Sequence, residues 1–151
     1  MAIVPLTNAQ NRAVEALVDQ RRLERVVPDQ ARALVFLERA RGAVEDVGRL
    51  TQPHTAYNVA YDACHDVGEA LLAAYGYRTR SGVGQHDALG KFLVVVLAGP
   101  PGADAAVRCD QLRRARNKNR YDAAPIGAAQ VAMATQAART LVDAAAARGI
   151  K

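Results

Sequence analysis

The sequence has few of the features that mark membrane-spanning, secreted or metal-stabilised proteins. It contains no Trp and only two cysteines, Cys64 and Cys109. Because these lie far apart in segments predicted to be helical, they form neither a disulfide framework nor a metal-binding motif, and we expect both to be small buried hydrophobes. No stretch approaches the ~20 consecutive apolar residues of a membrane span, and the first residues lack the features of a secretory signal. We therefore predict a cytoplasmic protein without a membrane segment.

What is present is typical of one helical domain. Half of the 151 residues are hydrophobic, and most of these are Ala, Val and Leu, which suit closely packed helices. A chain of this length can bury a core without disulfides or metal ions, so we predict a single domain over residues 1–151. The glycines at 82 and 84 lack the spacing of a dinucleotide-binding loop, and no cofactor is predicted.

Pro and Gly divide the chain into segments of helical length, within which apolar residues recur at helical spacing. Thr7 or Asn8 is the candidate N-cap of the first helix, and Asp29 that of the second. The run from 93 to 97 is rich in β-branched residues and also suits a strand, but a single strand would lack a partner, so we predict a helix there. The predicted fold is all-α, an up-and-down bundle of five to six helices with the third at its centre. The predicted ranges are 7–26, 29–50, 54–77, 86–98, 103–121 and 128–148.

Positive charge is concentrated in one predicted helix. The formal net charge is +5. Residues 108–120 contain six cations against the single anion Asp110, so this segment alone carries +5 and the rest of the chain is close to neutral. A basic patch on a neutral body indicates an anionic partner, with nucleic acid the first candidate. The cations are Arg108, Arg113, Arg114, Arg116, Lys118 and Arg120.

Arg116 lies on the apolar side of this helix. At 100° per residue, Ala105, Cys109, Leu112 and Arg116 fall in one stripe, so Arg116 continues the face that should be buried. An arginine in that position must find an acceptor, bind an anion or meet an interface, because an unpaired buried charge is costly.

Three interpretations of the basic helix remain open. In the first, the cations form a solvated face and Arg116 pairs with an acidic residue of the third helix, where Asp62, Asp66 and Glu69 lie along one side. In the second, the helix is a phosphate-binding surface without chemistry. In the third, it is a catalytic site in which guanidinium groups hold a phosphate while a polar group assists transfer.

Four segments of the chain, taken together and in their order along the sequence, resemble proteins of the HEPN family. The segment 112–122 contains Arg116-Asn117 and, five residues after the arginine, Tyr121-Asp122. It is similar to the C-terminal motif of HEPN domains, which are small helical bundles of prokaryotic toxin–antitoxin, phage-defence and RNA-processing systems. Residues 57–64, 70–77 and 84–89 also resemble HEPN proteins, and the similarity extends from about residue 54 to residue 145.

The resemblance implies roles for individual residues. The family's ribonuclease motif is an Arg, usually a polar residue, and then a His four to six positions after the Arg; this chain instead resembles the branch with Tyr-Asp at the end. The resemblance therefore assigns phosphate binding to Arg116 and polar positioning to Asn117 and Tyr121, our three candidate catalytic residues. Tyr is a poor base near neutral pH because its unperturbed pKa is ~10. The predicted nucleic-acid-binding residues are Arg113, Arg114, Lys118 and Arg120.

The resemblance also implies a function and partners. We expect a homodimer that acts on or binds RNA in a groove centred on Arg116; the resemblance leaves open whether it also cleaves RNA, which the family's ribonucleases do without a metal ion. The expected partner is a small nucleotidyltransferase antitoxin, for which Tyr121 is a candidate modification site. The alternative is a non-catalytic helical binding module that partners a nucleotidyltransferase. A weaker third possibility is non-specific DNA binding.

Two further groups of polar residues have simpler explanations. Asp62, His65, Asp66 and Glu69 share one helical face, and such spacing can bind a metal ion when other helices supply matching ligands. We favour a solvated acidic face and predict no metal site. His86 follows a Gly-rich segment, and we interpret it as a helix-start residue rather than a catalytic base.

Overall fold

The computed structural model of the chain describes residues 2–150. Within these residues the fold is a bundle of six α-helices with one small two-stranded sheet, which confirms the predicted all-α bundle. No helix in this part of the chain is long and apolar enough to cross a membrane. The elements are α1 (Asn8–Asp19), β1 (Leu23–Arg25), α2 (Gln30–Val47), α3 (Pro53–Tyr75), β2 (Tyr77–Thr79), α4 (Gln85–Val96), α5 (Gly102–Asp122) and α6 (Ala128–Ala147).

The first helices begin where the sequence supplies caps. The hydroxyl of Thr7 accepts from the backbone N–H of Gln10 at 3.1 Å, and the Gln10 side chain accepts from the N–H of Thr7 at 2.8 Å. This reciprocal pair satisfies two donors at the start of α1. Asp29 accepts from the N–H of Arg32 at 2.9 Å and starts α2 in the same way. Of the two candidates for the first cap the structure selects Thr7, and the predicted cap Asp29 is confirmed.

Helix α3 is the centre of the bundle, as predicted. It packs against α2, α4, α5 and α6. Its inward face consists largely of small residues, so neighbouring helix backbones can approach closely and bury their apolar stripes. The fully buried positions on this face include Ala60, Ala63, Val67, Ala70 and Leu71.

The helix predicted for residues 93–97 is also confirmed. This run forms the second half of α4, with Leu93 and Val96 buried against the core while Val94 is partly exposed. A strand here would have required a neighbour to pair its backbone groups, and within residues 2–150 the only two strands pair with each other.

The predicted ends of the first and third helices are wrong. Residues 23–25, which we assigned to the helix 7–26, form β1, and the residue at 77, which we assigned to the end of the helix 54–77, begins β2; the two strands pair antiparallel. Helix α3 stops because Gly76 adopts a left-handed conformation with φ of 83°, which ends a helix at little cost for glycine. Arg21, with φ of 59°, turns the chain after α1 in the same region of backbone space.

The two terminal segments meet at the end of α3 in what we call the terminal clasp, formed by Val4, Tyr75 and Arg148. The Tyr75 hydroxyl donates to the carbonyl of Val4 at 2.6 Å, and Arg148 Nε donates to the Tyr75 oxygen at 2.9 Å. The backbone N–H of Val4 donates to the carbonyl of Arg148 at 2.8 Å. These bonds hold the segment before α1 against the residues that follow α6.

Helix α4 approaches α3 most closely at Gly68. A Cβ atom at residue 68 would lie only 2.7 Å from Cγ of Leu89, which is itself buried in the core. Glycine is therefore required at this crossing, because any side chain would push the two helices apart.

We predict that Gly68→Ala lowers the free energy of unfolding by about 1–3 kcal/mol through this overpacking. The matched control is Gly42→Ala in α2, where an added Cβ meets nothing within 4 Å. That change should stabilise the protein by about 0.5–1 kcal/mol, because Ala is the better helix former. Urea unfolding followed by circular dichroism measures both values, and an unchanged midpoint for Gly68→Ala would contradict the assigned contact.

Candidate functional site

A polar cavity of about 460 Å³ opens between α3, α5 and the start of α4. We call it the arginine pocket. Helix α3 contributes Tyr61 and Asp62, and the loop before α4 contributes Gly82 and Gly84. The remaining walls are formed by Gln85, His86 and Asp87 of α4 and by Arg113, Arg116, Asn117 and Arg120 of α5.

The arginine side of the pocket is held in place by contacts between α5 and α3. Cys109 and Leu112 are buried in this contact, and the hydroxyl of Tyr57 donates to the carbonyl of Leu112 at 2.9 Å. Arg116 lies one turn further along the same stripe, and its side chain is only 29% exposed. The prediction that Arg116 continues the buried face is confirmed.

Arg116 is held in the pocket but is poorly neutralised. Its guanidinium carbon lies 5.0 Å from the centre of the Tyr61 ring, a cation–π contact. Its nearest carboxylate oxygen, on Asp62, is 3.8 Å away, whereas tight charge-assisted hydrogen bonds measure ~2.8 Å. The predicted ion pair with the third helix is thus present, but most of the five guanidinium donors are left available to a ligand.

Arg113 is fixed by an ion-pair network. Its Nη2 donates to Asp110 at 3.0 Å and lies 3.4 Å from Asp87. Asp87 also pairs with Arg22 and, at 3.4 Å, with Lys91. The hydrogen bond from Arg22 is the main reason that the pKa of Asp87 lies below its usual range. One carboxylate therefore organises three cations and fixes the position of Arg113.

Only some of the predicted site residues lie in the pocket. Arg113, Arg116, Asn117 and Arg120 line it. Arg114 faces away and pairs with Asp110 at 3.1 Å. Lys118 and Tyr121 are exposed outside the pocket, and Tyr121 is 86% exposed. A positioning role for Tyr121 within the pocket of its own chain is therefore not supported by its place in the fold.

His86 is the pocket residue that sequence reasoning missed. It lies in the first turn of α4, so its interpretation as a helix-start residue is confirmed, but its imidazole also faces the arginines. Its Nδ1 atom lies 3.0 Å from the Tyr61 hydroxyl, and its ring centre is 4.5 Å from that of His65. Only the crossing of α4 over α3 brings residues 61, 65 and 86 together, and the local pattern around position 86 does not encode it.

Both histidines are neutral imidazoles at pH 7. Burial, reinforced by Arg116 and Arg113, lowers the pKa of His86. Burial, followed by the proximity of His86 and Arg116, lowers the pKa of His65 to about 4. Burial also raises the pKa of the Tyr61 hydroxyl, which therefore keeps its proton. The Nε2 atom of His65 is buried and has no hydrogen-bond partner within residues 2–150, a further reason why protonation there is unfavourable.

The face formed by Asp62, His65, Asp66 and Glu69 is not the solvated acidic surface that we predicted. Only Asp62 is exposed, since Asp66 has 16% of its side chain exposed and faces Arg39 at 3.7 Å. Burial raises the pKa values of Asp66 and Glu69. The face turns inward because α3 is surrounded by other helices. Over residues 2–150, no three His, Cys, Asp or Glu side chains gather as a metal site.

The two cysteines are buried, as predicted, and they lie beside each other where α3 meets α5. The neighbouring Cys109 thiol and burial raise the pKa of Cys64 well above its ordinary value. A protonated, inaccessible thiol is not a nucleophile. Cys64 and Cys109 therefore contribute packing behind the pocket rather than chemistry within it.

No protein-family model matches this chain, and neither a curated protein nor a solved structure matches it. The HEPN resemblance therefore stays a prediction. What the site can do has to be inferred from the side chains that form the arginine pocket and from their charges.

We predict that His65 makes the protein less stable in acid. Between its unfolded pKa of 6.5 and its folded pKa of about 4, the unfolded chain binds a proton that the folded chain does not, so stability falls as the pH falls through this window. From pH 7 to pH 5, the free energy of unfolding of the wild type should fall by about 2 kcal/mol more than that of His65→Phe, which cannot titrate. Urea unfolding at both pH values measures this difference, and parallel losses would refute it.

Proposed function

We propose that this chain is a cytoplasmic HEPN-type component of a toxin–antitoxin or defence system that binds RNA in the arginine pocket and cleaves it without a metal ion. The observation that carries the proposal is the convergence of Arg113, Arg116 and Arg120 with the neutral imidazole of His86 in one pocket. Guanidinium groups recognise phosphate, and a neutral imidazole can accept a proton near neutral pH.

A phosphodiester fits the charge of the pocket. Asp87 is already shared among several cations, and Asp62 makes only a long contact to Arg116. Arg120 has no carboxylate within 4.0 Å among residues 2–150. Positive charge is therefore in excess, and an anionic ligand would lower the repulsion among the guanidinium groups. The donors that Arg116 does not use can bind the non-bridging phosphate oxygens.

The cleavage step follows from the same residues. When Nδ1 of His86 donates to the Tyr61 oxygen, Nε2 is left as the acceptor and takes the proton of the ribose 2′-hydroxyl. The 2′-oxygen then attacks phosphorus, the bond to the 5′-oxygen breaks, and the leaving oxygen takes up a proton from the imidazolium. Arg116 stabilises the negative charge that develops on the phosphate. The products are a 2′,3′-cyclic phosphate and a 5′-hydroxyl.

This proposal moves the proton-transfer role from the C-terminal motif to α4. Tyr121 follows Arg116 in the motif but is highly exposed outside the pocket. In the proposed homodimer it remains available to modification by the nucleotidyltransferase antitoxin. Asn117 keeps a positioning role, because it lines the pocket beside Arg116.

The alternative is a non-catalytic module that partners a nucleotidyltransferase. Lys118 and Tyr121, exposed on α5 outside the pocket, favour it because they provide a polar surface separate from the arginine pocket. A binding module of this kind would associate with its partner through α5 and would leave RNA intact.

We expect the wild type to cleave a mixed RNA pool in the presence of EDTA and to leave 2′,3′-cyclic phosphate ends. Arg116→Ala should lose about 100-fold or more of this rate, because it removes the group that stabilises the transition-state charge. His86→Gln should lose a comparable factor, because glutamine cannot accept the proton. End-labelled RNA resolved on gels measures both rates.

The matched control is Arg49→Ala, which removes an exposed arginine at the end of α2 and should cleave like the wild type. Tyr121→Phe should also retain cleavage, because the hydroxyl lies outside the pocket. Intact RNA after incubation with pure wild-type protein would reject the catalytic proposal and favour the binding module.

The pH dependence of cleavage offers an independent test of His86. Because burial and the two arginines lower its pKa, the imidazole stays able to accept a proton at pH values where an ordinary histidine is already charged. We predict that the acid limb of kcat/KM has its midpoint below pH 6.5 and that His86→Gln lacks this limb. A wild-type midpoint at or above pH 6.5 would contradict the assignment.

A further inference from the structure

The small sheet gathers arginines that the sequence keeps apart. Residues 21–25 and 77–80 form a small antiparallel unit in which β1 pairs with β2. We call it the arginine hairpin, although its two strands are not joined by a turn. It carries five arginines and one glutamate, Glu24, so its formal charge is 5 − 1 = +4. The pairing joins segments that are 54 residues apart in the register Glu24↔Arg78. Its arginines are Arg21, Arg22, Arg25, Arg78 and Arg80.

The arginine hairpin adjoins the arginine pocket. Arg22 pairs with Asp87, which lines the pocket. Its guanidinium also lies 3.8 Å from the position that a Cβ atom on Gly84 would occupy, and Gly84 lines the pocket too. The backbone N–H of Arg80 donates to the carbonyl of Arg22 at 3.4 Å, and two residues later the chain reaches Gly82 at the edge of the pocket. The positive surface therefore continues from the pocket onto the sheet.

The charge of the arginine hairpin is only partly neutralised. Glu24 faces two arginines, Arg78 at 2.6 Å and Arg80 at 3.6 Å. The side chain of Arg80 remains 50% exposed, and Arg21 is exposed with no carboxylate within 4.0 Å among residues 2–150. Arg25 is paired with Glu15 and Arg22 with Asp87. The positive charge in excess therefore lies at Arg21 and at Arg78 and Arg80, which share one carboxylate, and it faces solvent, where it can attract an anion.

The loop between the hairpin and the pocket adds an apolar contact. Val83 is fully exposed at the tip of this loop, so its side chain is not stabilised by burial in the core. Single-stranded nucleic acid offers both phosphates and exposed base faces, so one strand can contact the cations and also cover the apolar side chain of Val83. Double-stranded helices hide the base faces and offer no partner to an isolated valine.

We infer that the arginine hairpin is a second RNA-binding surface, and that a single strand held by one phosphate in the arginine pocket passes over the loop at Val83 and lies along Arg80 and Arg21. This inference rests on the proposed function, since the pocket supplies the anchoring phosphate. The arginine hairpin therefore makes the protein prefer longer, single-stranded RNA. Arg116 and His86 act on one phosphate of that strand.

The test compares the binding of a trinucleotide and a 12-nucleotide RNA, both 2′-O-methylated so that no cleavage can occur. The double variant Arg21→Asn/Arg80→Ala removes two charges but leaves Arg22 and its bond to Asp87 intact, and asparagine tolerates the positive φ at position 21. We expect about tenfold weaker binding of the 12-mer and a salt slope smaller by about 1 to 2, as for the loss of two phosphate contacts. Trinucleotide binding should not change. Fluorescence anisotropy over a range of salt concentrations measures both quantities.

The control is Arg41→Ala/Arg49→Ala, which removes one ion-paired arginine from α2 and one from the turn after it and should bind both RNAs like the wild type. Arg116→Ala should weaken both lengths. If Arg116→Ala weakens binding and the hairpin variant does not, the hairpin inference is overturned and the proposed function stands. If Arg116→Ala binds both RNAs normally, both proposals fail. Equal weakening of the two lengths by the hairpin variant would also overturn the inference, because the inference assigns Arg21 and Arg80 to the nucleotides that only the longer RNA has.

Discussion

The contact between Gly68 and Leu89 is the constraint on which the site depends. Because residue 68 has no side chain, α4 can lie close against α3, and the leucine fills the space that a Cβ would need. One turn before each of these residues, the rings of His65 and His86 stand 4.5 Å apart. The same crossing brings His86 to the Tyr61 hydroxyl and to the arginines of α5. A wider separation of the two helices would disperse the imidazole, the phenol and the guanidinium groups.

The cations around α5 outnumber the carboxylates that could neutralise them. Asp87 serves Arg22, Arg113 and Lys91 at once, and it lies where the arginine pocket meets the arginine hairpin. Such sharing holds the cations in place without cancelling their charge. The uncancelled charge also reinforces the effect of burial on the nearby histidines, whose pKa values are lowered first by desolvation and then by repulsion from the guanidinium groups. The pocket thus combines strong positive potential with a proton acceptor.

The parts of the structure that depend on local pattern could be predicted from the sequence, and those that depend on distant pairing could not. Helical spacing predicted the central position of α3 and the inward placement of Arg116. The two strands were not predicted, because each has only three residues and its partner lies 54 positions away. Motif spacing suggested Tyr121, yet five residues at 100° each place it about 140° around α5 from Arg116. His86 was missed because its neighbours come from α3 and α5, which no pattern around position 86 specifies.

The terminal clasp has a practical consequence for attaching this protein to other molecules. Val4 and Arg148 are hydrogen-bonded to each other beside Tyr75, so the chain enters and leaves the bundle at one corner. Fourteen residues of α3 separate Tyr75 from Tyr61, a distance of about 20 Å along the helix axis. A dye attached beside Val4 and one attached beside Arg148 would therefore sit at the same corner of the bundle. A molecule immobilised through either of these segments would present the arginine pocket to the solution.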